Sequence, residues 1–163
     1  MNNMIVYSCE ENSELSHWKV VTDSVMGGKS DGQMSLDSQG ACVFSGTVSL
    51  ENNGGFSMVR YRKALGDWPD GTKQFKLKVK GDGRRYQFRV KSDLNQRHSY
   101  GMQFETTGEW QEVVIPFVKL LPVFRGNWLE LPAYDGKNLE ELAFLTGKEP
   151  GQFELKIASL TVD

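Results

Sequence analysis

Proline and cysteine are scarce in this chain of 163 residues, at 5 and 2, and long apolar runs are missing altogether. No stretch approaches the ~20 apolar residues that a membrane-spanning helix needs, so no direct membrane insertion is expected. The start, Met1-Asn2-Asn3-Met4-Ile5-Val6, has neither the charged and hydrophobic regions of a signal peptide nor the Arg-rich character of a transit peptide, which points to the cytoplasm. A surplus of one charge is lacking too. Nineteen Lys and Arg (19) against 21 Asp and Glu give a formal net charge of −2, which offers nucleic acid no general attraction. Cys9 and Cys42 have no Cys or His nearby at metal-ligand spacing, so free, buried thiols in a reducing compartment are expected. The only histidines, His17 and His98, stand outside any nucleophile-elbow pattern, and no base and nucleophile pair is legible. Gly27-Gly28-Lys29-Ser30 ends like a phosphate-binding loop, yet Asp23 stands where that loop needs its first glycine and a strand follows. No EF-hand spacing is present, and the sequence calls for neither cofactor nor metal.

What the chain does hold is glycine, at 17 residues, and a side-chain rhythm of two. Period-two alternation predicts strands near residues 17–22, 30–36, 41–50, 55–62, 73–80, 84–91, 99–106, 110–117, 142–146 and 153–162. About ten short strands punctuated by turns read as an all-β antiparallel sandwich or jelly roll, one domain over residues 1–163. Phe75, Leu77 and Val79 share one face of their strand, and Tyr86, Phe88 and Val90 share one of the next. Gly81-Asp82-Gly83 between these strands suits a hairpin turn, which would set Lys76, Lys78, Lys80, Arg89 and Lys91 in one outward row. A parity change near Ala158-Ser159 predicts a bulge. Helix is limited to one or two turns, at residues 12–16 and at Asn138-Leu139-Glu140-Glu141, which has capping-box spacing. Residues 118–137 lack clear periodicity and form a long loop.

Two glycine-doublet loops supply the main candidate site: Asp23, Met26, Gly27, Gly28 and Ser30 in one, Asn52, Asn53, Gly54 and Gly55 in the other. Doublets mark tight reversals, and counting connections between antiparallel strands puts both loops at one end of the sandwich. The loops at 81–83, 107–109 and 147–151 join them, with 67–72, 94–98 and 118–137 opposite. Asp23 and Asn53 fit turn stabilisation as well as ligand binding. Arg60, Arg89 and Arg125 fit a structural clamp or a ligand contact, since a guanidinium fork serves either. Trp128 and Tyr134, beside Arg125, are interface candidates.

The segment from Asp23 to Ser30, Phe44-Ser45-Gly46, Leu50 to Arg60, Gly81-Asp82-Gly83-Arg84-Arg85-Tyr86, Trp110-Gln111-Glu112-Val113, Phe124-Arg125-Gly126 and Gly151-Gln152-Phe153-Glu154-Leu155 together resemble the complex I intermediate-associated protein 30 family, in order from about residue 18 to 162. The resemblance implies a galactose-binding-domain-like sandwich without recognised catalysis; eukaryotic members assist assembly of respiratory complex I in mitochondria. Without those members' long N-terminal extension, the chain is expected to be a short bacterial relative. The leading expectation is a non-catalytic module that binds a protein partner as an assembly factor or chaperone-like helper. The alternatives are a carbohydrate-binding module and, third, a hydrolase using two of its scattered carboxylates.

Overall fold

The computed structural model describes residues 4–11 and 13–163, without the side chains of Val25, Met26 and Asn53. The chain folds into strands β1 (Met4–Ser8), β2 (Trp18–Thr22), β3 (Gln33–Leu36), β4 (Cys42–Val48), β5 (Phe56–Arg62), β6 (Gln74–Lys80), β7 (Arg85–Lys91), β8 (Ser99–Glu105), β9 (Trp110–Pro116), β10 (Leu121–Phe124), β11 (Asn127–Trp128), β12 (Glu141–Gly147) and β13 (Gly151–Val162). A six-stranded sheet runs β3-β4-β13-β6-β9 with β1 added beside β13, and a seven-stranded sheet runs β11-β10-β8-β7-β12-β5-β2. All the pairings are antiparallel. Among the described residues helix is confined to 3-10 turns at Asp23–Met26, Glu51–Asn53 and Phe117–Lys119. The fold class is therefore the one the alternation predicts.

The two sheets pack their inner faces together. Phe44 and Phe75 from one, Phe88 and Phe144 from the other, are almost wholly removed from solvent, and burying a side chain of this size contributes about 2–3 kcal/mol. Strand β13 shifts register between Ile157 and Ser159, so one extra residue restores Leu160 and Val162 to the core.

Several expectations need correction. Strands β6 and β7 lie in different sheets, so Gly81-Asp82-Gly83 is a crossing between layers and not a hairpin. Asp82 fixes this crossing by accepting from the backbone N–H of Arg84, the Tyr86 hydroxyl and the backbone N–H of Glu154. Lys76, Lys78 and Lys80 consequently sit on the opposite sheet from Arg89 and Lys91. Cys9 and Cys42 are joined by a disulfide, with an S–S distance of 2.11 Å and Cα atoms 5.7 Å apart, so the argument from free thiols to a reducing compartment falls. Asn138 has a left-handed backbone with φ 61°, which an N-cap cannot adopt, and no helix follows it. The turn expected at residues 12–16 includes Asn12, outside the described residues, and 13–16 are not helical. Residues 118–137 contain the β10–β11 hairpin, whose two turn residues Arg125 and Gly126 both have positive φ, at 50° and 79°.

Candidate functional site

The two glycine-doublet loops meet at one end of the sandwich around the Asp23 carboxylate. Asp23 is fully buried; it accepts from the Ser30 hydroxyl at 2.6 Å, the Ser30 backbone N–H at 3.0 Å, the Phe56 N–H at 3.2 Å and the Gly55 N–H. A Cβ at Gly28 or Gly54 would overlap this carboxylate, so the close approach, more than turn geometry, demands glycine there. Burial alone raises the Asp23 pKa, but the hydrogen bonds from Ser30, Gly55 and Phe56 together outweigh it and hold the group below its usual value. The Asn52 side-chain amide donates to the Gly27 carbonyl at 3.0 Å, a second tie between the loops. Asp23 and Ser30 are thus a staple whose polar atoms are used internally. Met26 and Asn53 lie in the 3-10 turns, with side chains outside the described residues.

From this end a trough of about 1380 Å³ crosses the outer face of the seven-stranded sheet to the β10–β11 hairpin. The register shows what lines it. Val21 pairs with Met58, Met58 with Leu145, Leu145 with Gln87 and Gln87 with Gln103, which sets an aliphatic-to-amide row across five strands. Two residues along each strand a second row follows, from Lys19 through Arg60, Ala143 and Arg89 to Gly101. In a third, Arg62 and Lys91 flank Glu141. Arg62 Nε donates to Glu141 Oε1 at 2.6 Å. Arg89 donates to Gln87. Arg60 Nε is buried and has no hydrogen-bond partner among the described residues.

Partial burial is the main cause that lowers the pKa of Arg60, Arg89 and Lys91. Glu141 opposes that shift in all three, while neighbouring cations add to it at Arg60 and Lys91. Trp128, 49% exposed, pairs with Val123 on the far rim of the trough, and the Arg125 guanidinium stands 5.1 Å from the Phe124 ring.

The structure therefore brings Asp23, Gly54, Gly55, Arg89, Arg125 and Trp128 to one trough, with Arg60 in the adjoining row. It does not bring Tyr134 there. That ring is 3% exposed, stacks on Phe75 and meets Phe117 edge-on, and its hydroxyl donates to the Asn138 carbonyl at 2.7 Å. Sequence reasoning missed Val21, Met58, Leu145, Gln87 and Gln103, which share the outward parity of Arg60 or Arg89 once their strands are paired. Among the described residues no three His, Cys, Asp or Glu side chains gather to hold a metal, and no helix is long and apolar enough to cross a membrane.

The profile of the family described as complex I intermediate-associated protein 30 matches residues 7–157. The chain belongs to this family. A mouse relative, "Complex I intermediate-associated protein 30, mitochondrial" from Mus musculus, is 30% identical over 138 residues, covering 71% of this chain and 42% of the mouse protein. The chain thus spans less than half of that relative. Among solved structures, the family 11 carbohydrate-binding module of Clostridium thermocellum in complex with a β-1,3-1,4-mixed-linked tetrasaccharide superposes with a TM-score of 0.68 at 16% identity, over 98% of this chain and 94% of that one. A module titled TmCBM61, in complex with β-1,4-galactotriose, gives 0.54 at 13% identity over 100% and 99%. These likenesses establish that a member of the complex I intermediate-associated protein 30 family carries the carbohydrate-binding-module sandwich.

Proposed function

We propose that the protein is a non-catalytic binding module that holds another protein in the trough of the seven-stranded sheet, acting as an assembly factor or chaperone-like helper. The observation that carries the reading is a broad trough lined by Arg85, Arg89, Arg125 and the rim Trp128, continued along the sheet by the rows of Arg60 and of Arg62, Glu141 and Lys91, in a chain of the complex I intermediate-associated protein 30 family. A face with several partly desolvated cations and an exposed rim tryptophan fits macromolecular recognition, in which a few buried aromatic and arginine anchors supply most of the affinity. The relative's name supports an assembly intermediate of a respiratory complex as partner.

Carbohydrate binding is the second reading, favoured by the solved oligosaccharide complexes on this sandwich and by Gln87 and Gln103 in the trough. A pull-down from source membranes with mass spectrometry, run beside a glycan array, separates the two. Recovery of respiratory-complex subunits by the native chain, reduced at least about tenfold by Trp128→Ala, is the expected result. A blank pull-down with retention of one glycan class reverses the assignment.

A further inference from the structure

Resting on the protein-binding reading, the geometry points to the chemistry of the partner: we propose that the trough takes an extended, amphipathic acidic segment, with its carboxylates on Arg60 and Arg89 and its aliphatic side chains along Val21, Met58 and Leu145. The two rows are adjacent and parallel. Lys19 and Val21, Arg60 and Met58, and Ala143 and Leu145 stand two residues apart on β2, β5 and β12, so the rows run about 7 Å apart across the strands. A chain laid across the strands has cations along one edge and aliphatic groups along the other.

The cationic row is built to receive an anion. Arg60 and Arg89 flank Ala143, which is 1% exposed, and their backbones are ~10 Å apart, two strand spacings. Alanine between them and Gly101 beyond Arg89 keep the floor low, so both forks can turn towards one visitor. Their neighbour Glu141 is engaged by Arg62, leaving Arg60 Nε buried without an acceptor and Arg89 with only the Gln87 amide. Arg60 and Arg89 have no ion pair within 4.0 Å among the described residues, and a visiting carboxylate accepts from such forks with charge-assisted bonds. The whole chain carries a formal charge of −2, whereas Lys19, Arg60, Arg62, Arg89 and Lys91 gather here around Glu141; Glu105 and Glu149 lie at the other end of the trough, Glu105 paired with Arg85 at 2.7 Å, so the cationic surplus is local to these rows and favours an anionic partner. The second row favours a peptide: Val21, Met58 and Leu145 are aliphatic and match Val, Leu or Ile side chains, and the exposed ring that a sugar could stack on, Trp128, stands on the far rim and not in this row.

The test is selection of a random phage-displayed peptide library, about twelve residues long and so able to cross four strands when extended, on the whole chain. Enrichment of Asp and Glu alternating with aliphatic residues is expected. The selected peptides should bind at least about tenfold more weakly to Arg60→Gln/Arg89→Gln, and more weakly again in high salt. Arg62 is left intact in that variant so that Glu141 keeps its partner, and Met58→Glu offers an independent block of the aliphatic row. Enrichment of neutral or basic peptides, no enrichment, or binding to either variant as tight as to the native chain overturns the proposal. Capture of respiratory-complex subunits that is unchanged by Arg60→Gln/Arg89→Gln sinks this inference and leaves the protein-binding reading standing. Retention of polygalacturonate with no peptide enriched sinks both.

Discussion

At the scale of single residues, the buried Asp23 carboxylate decides more than any surface group. It joins two loops separated by more than twenty residues of sequence and accounts for a glycine in each. Asp23→Asn keeps the size but replaces one acceptor oxygen by a donor facing backbone N–H groups, and should cost about 3 kcal/mol in urea unfolding. The pH dependence has a definite sign. Because the folded group titrates below its ordinary value of 3.8, its contribution is complete above that value and is lost as pH falls through the lower folded pKa. Urea midpoints measured from about pH 6 to pH 2 should therefore drop less steeply in Asp23→Asn than in the native chain, and equal slopes would count against the staple.

At the scale of elements, the Cys9–Cys42 bridge ties the end of β1 to β4 across a sequence separation of 33. Closing a loop of this length stabilises by about 3–4 kcal/mol in the chain-entropy account. Reduction, or Cys9→Ser/Cys42→Ser, should lower the unfolding free energy by about that much, and the unreduced protein in denaturant should yield no thiol to a thiol reagent. The strands that the sequence did reveal are those with strict alternation, such as Phe75–Leu77–Val79 in β6. Those it hid have physical reasons: β10 carries Pro122 in its ladder, β11 has 2 residues, and β1 is a short run with a register shift between Ile5 and Tyr7. The candidate site was legible where it lay in loops, as at Asp23 and Gly54, or at single conspicuous side chains such as Arg60 and Trp128. Its rows were not, because they exist only once β12 is inserted between β5 and β7, a pairing of segments far apart in sequence. Tyr134 was read as a surface group for the same reason, since its partners Phe75 and Phe117 come from distant segments.

At the scale of the whole molecule, the two outer faces differ in character. The six-stranded sheet pairs Lys76 with the Asp163 carboxylate at 2.9 Å and Lys156 with Asp37 at 3.2 Å, so two of its cations are already neutralised. On the seven-stranded face Arg62 has Glu141 and Arg85 has Glu105 at 2.7 Å, while Lys19, Arg60, Arg89 and Lys91, which lie together, have no ion pair within 4.0 Å among the described residues. Reversing a charge on the first face, as in Lys78→Glu, should leave partner capture within about twofold of the native chain, whereas Met58→Glu on the second should abolish it. Equal losses from the two would show that the trough is not the contact surface.

The position of β13 has a consequence for how the protein is made. This strand follows the others in sequence yet lies between β4 and β6 and also carries β1, so among the described residues it alone links the two halves of its sheet. While the polypeptide is still emerging from the ribosome, β3–β4 and β6–β9 wait as separate ribbons with bare edges, exposed to pairing with other nascent chains. The six-stranded sheet therefore cannot close before β13 is available, and until then the edges of β4 and β6 that it covers stay open to pairing with other chains.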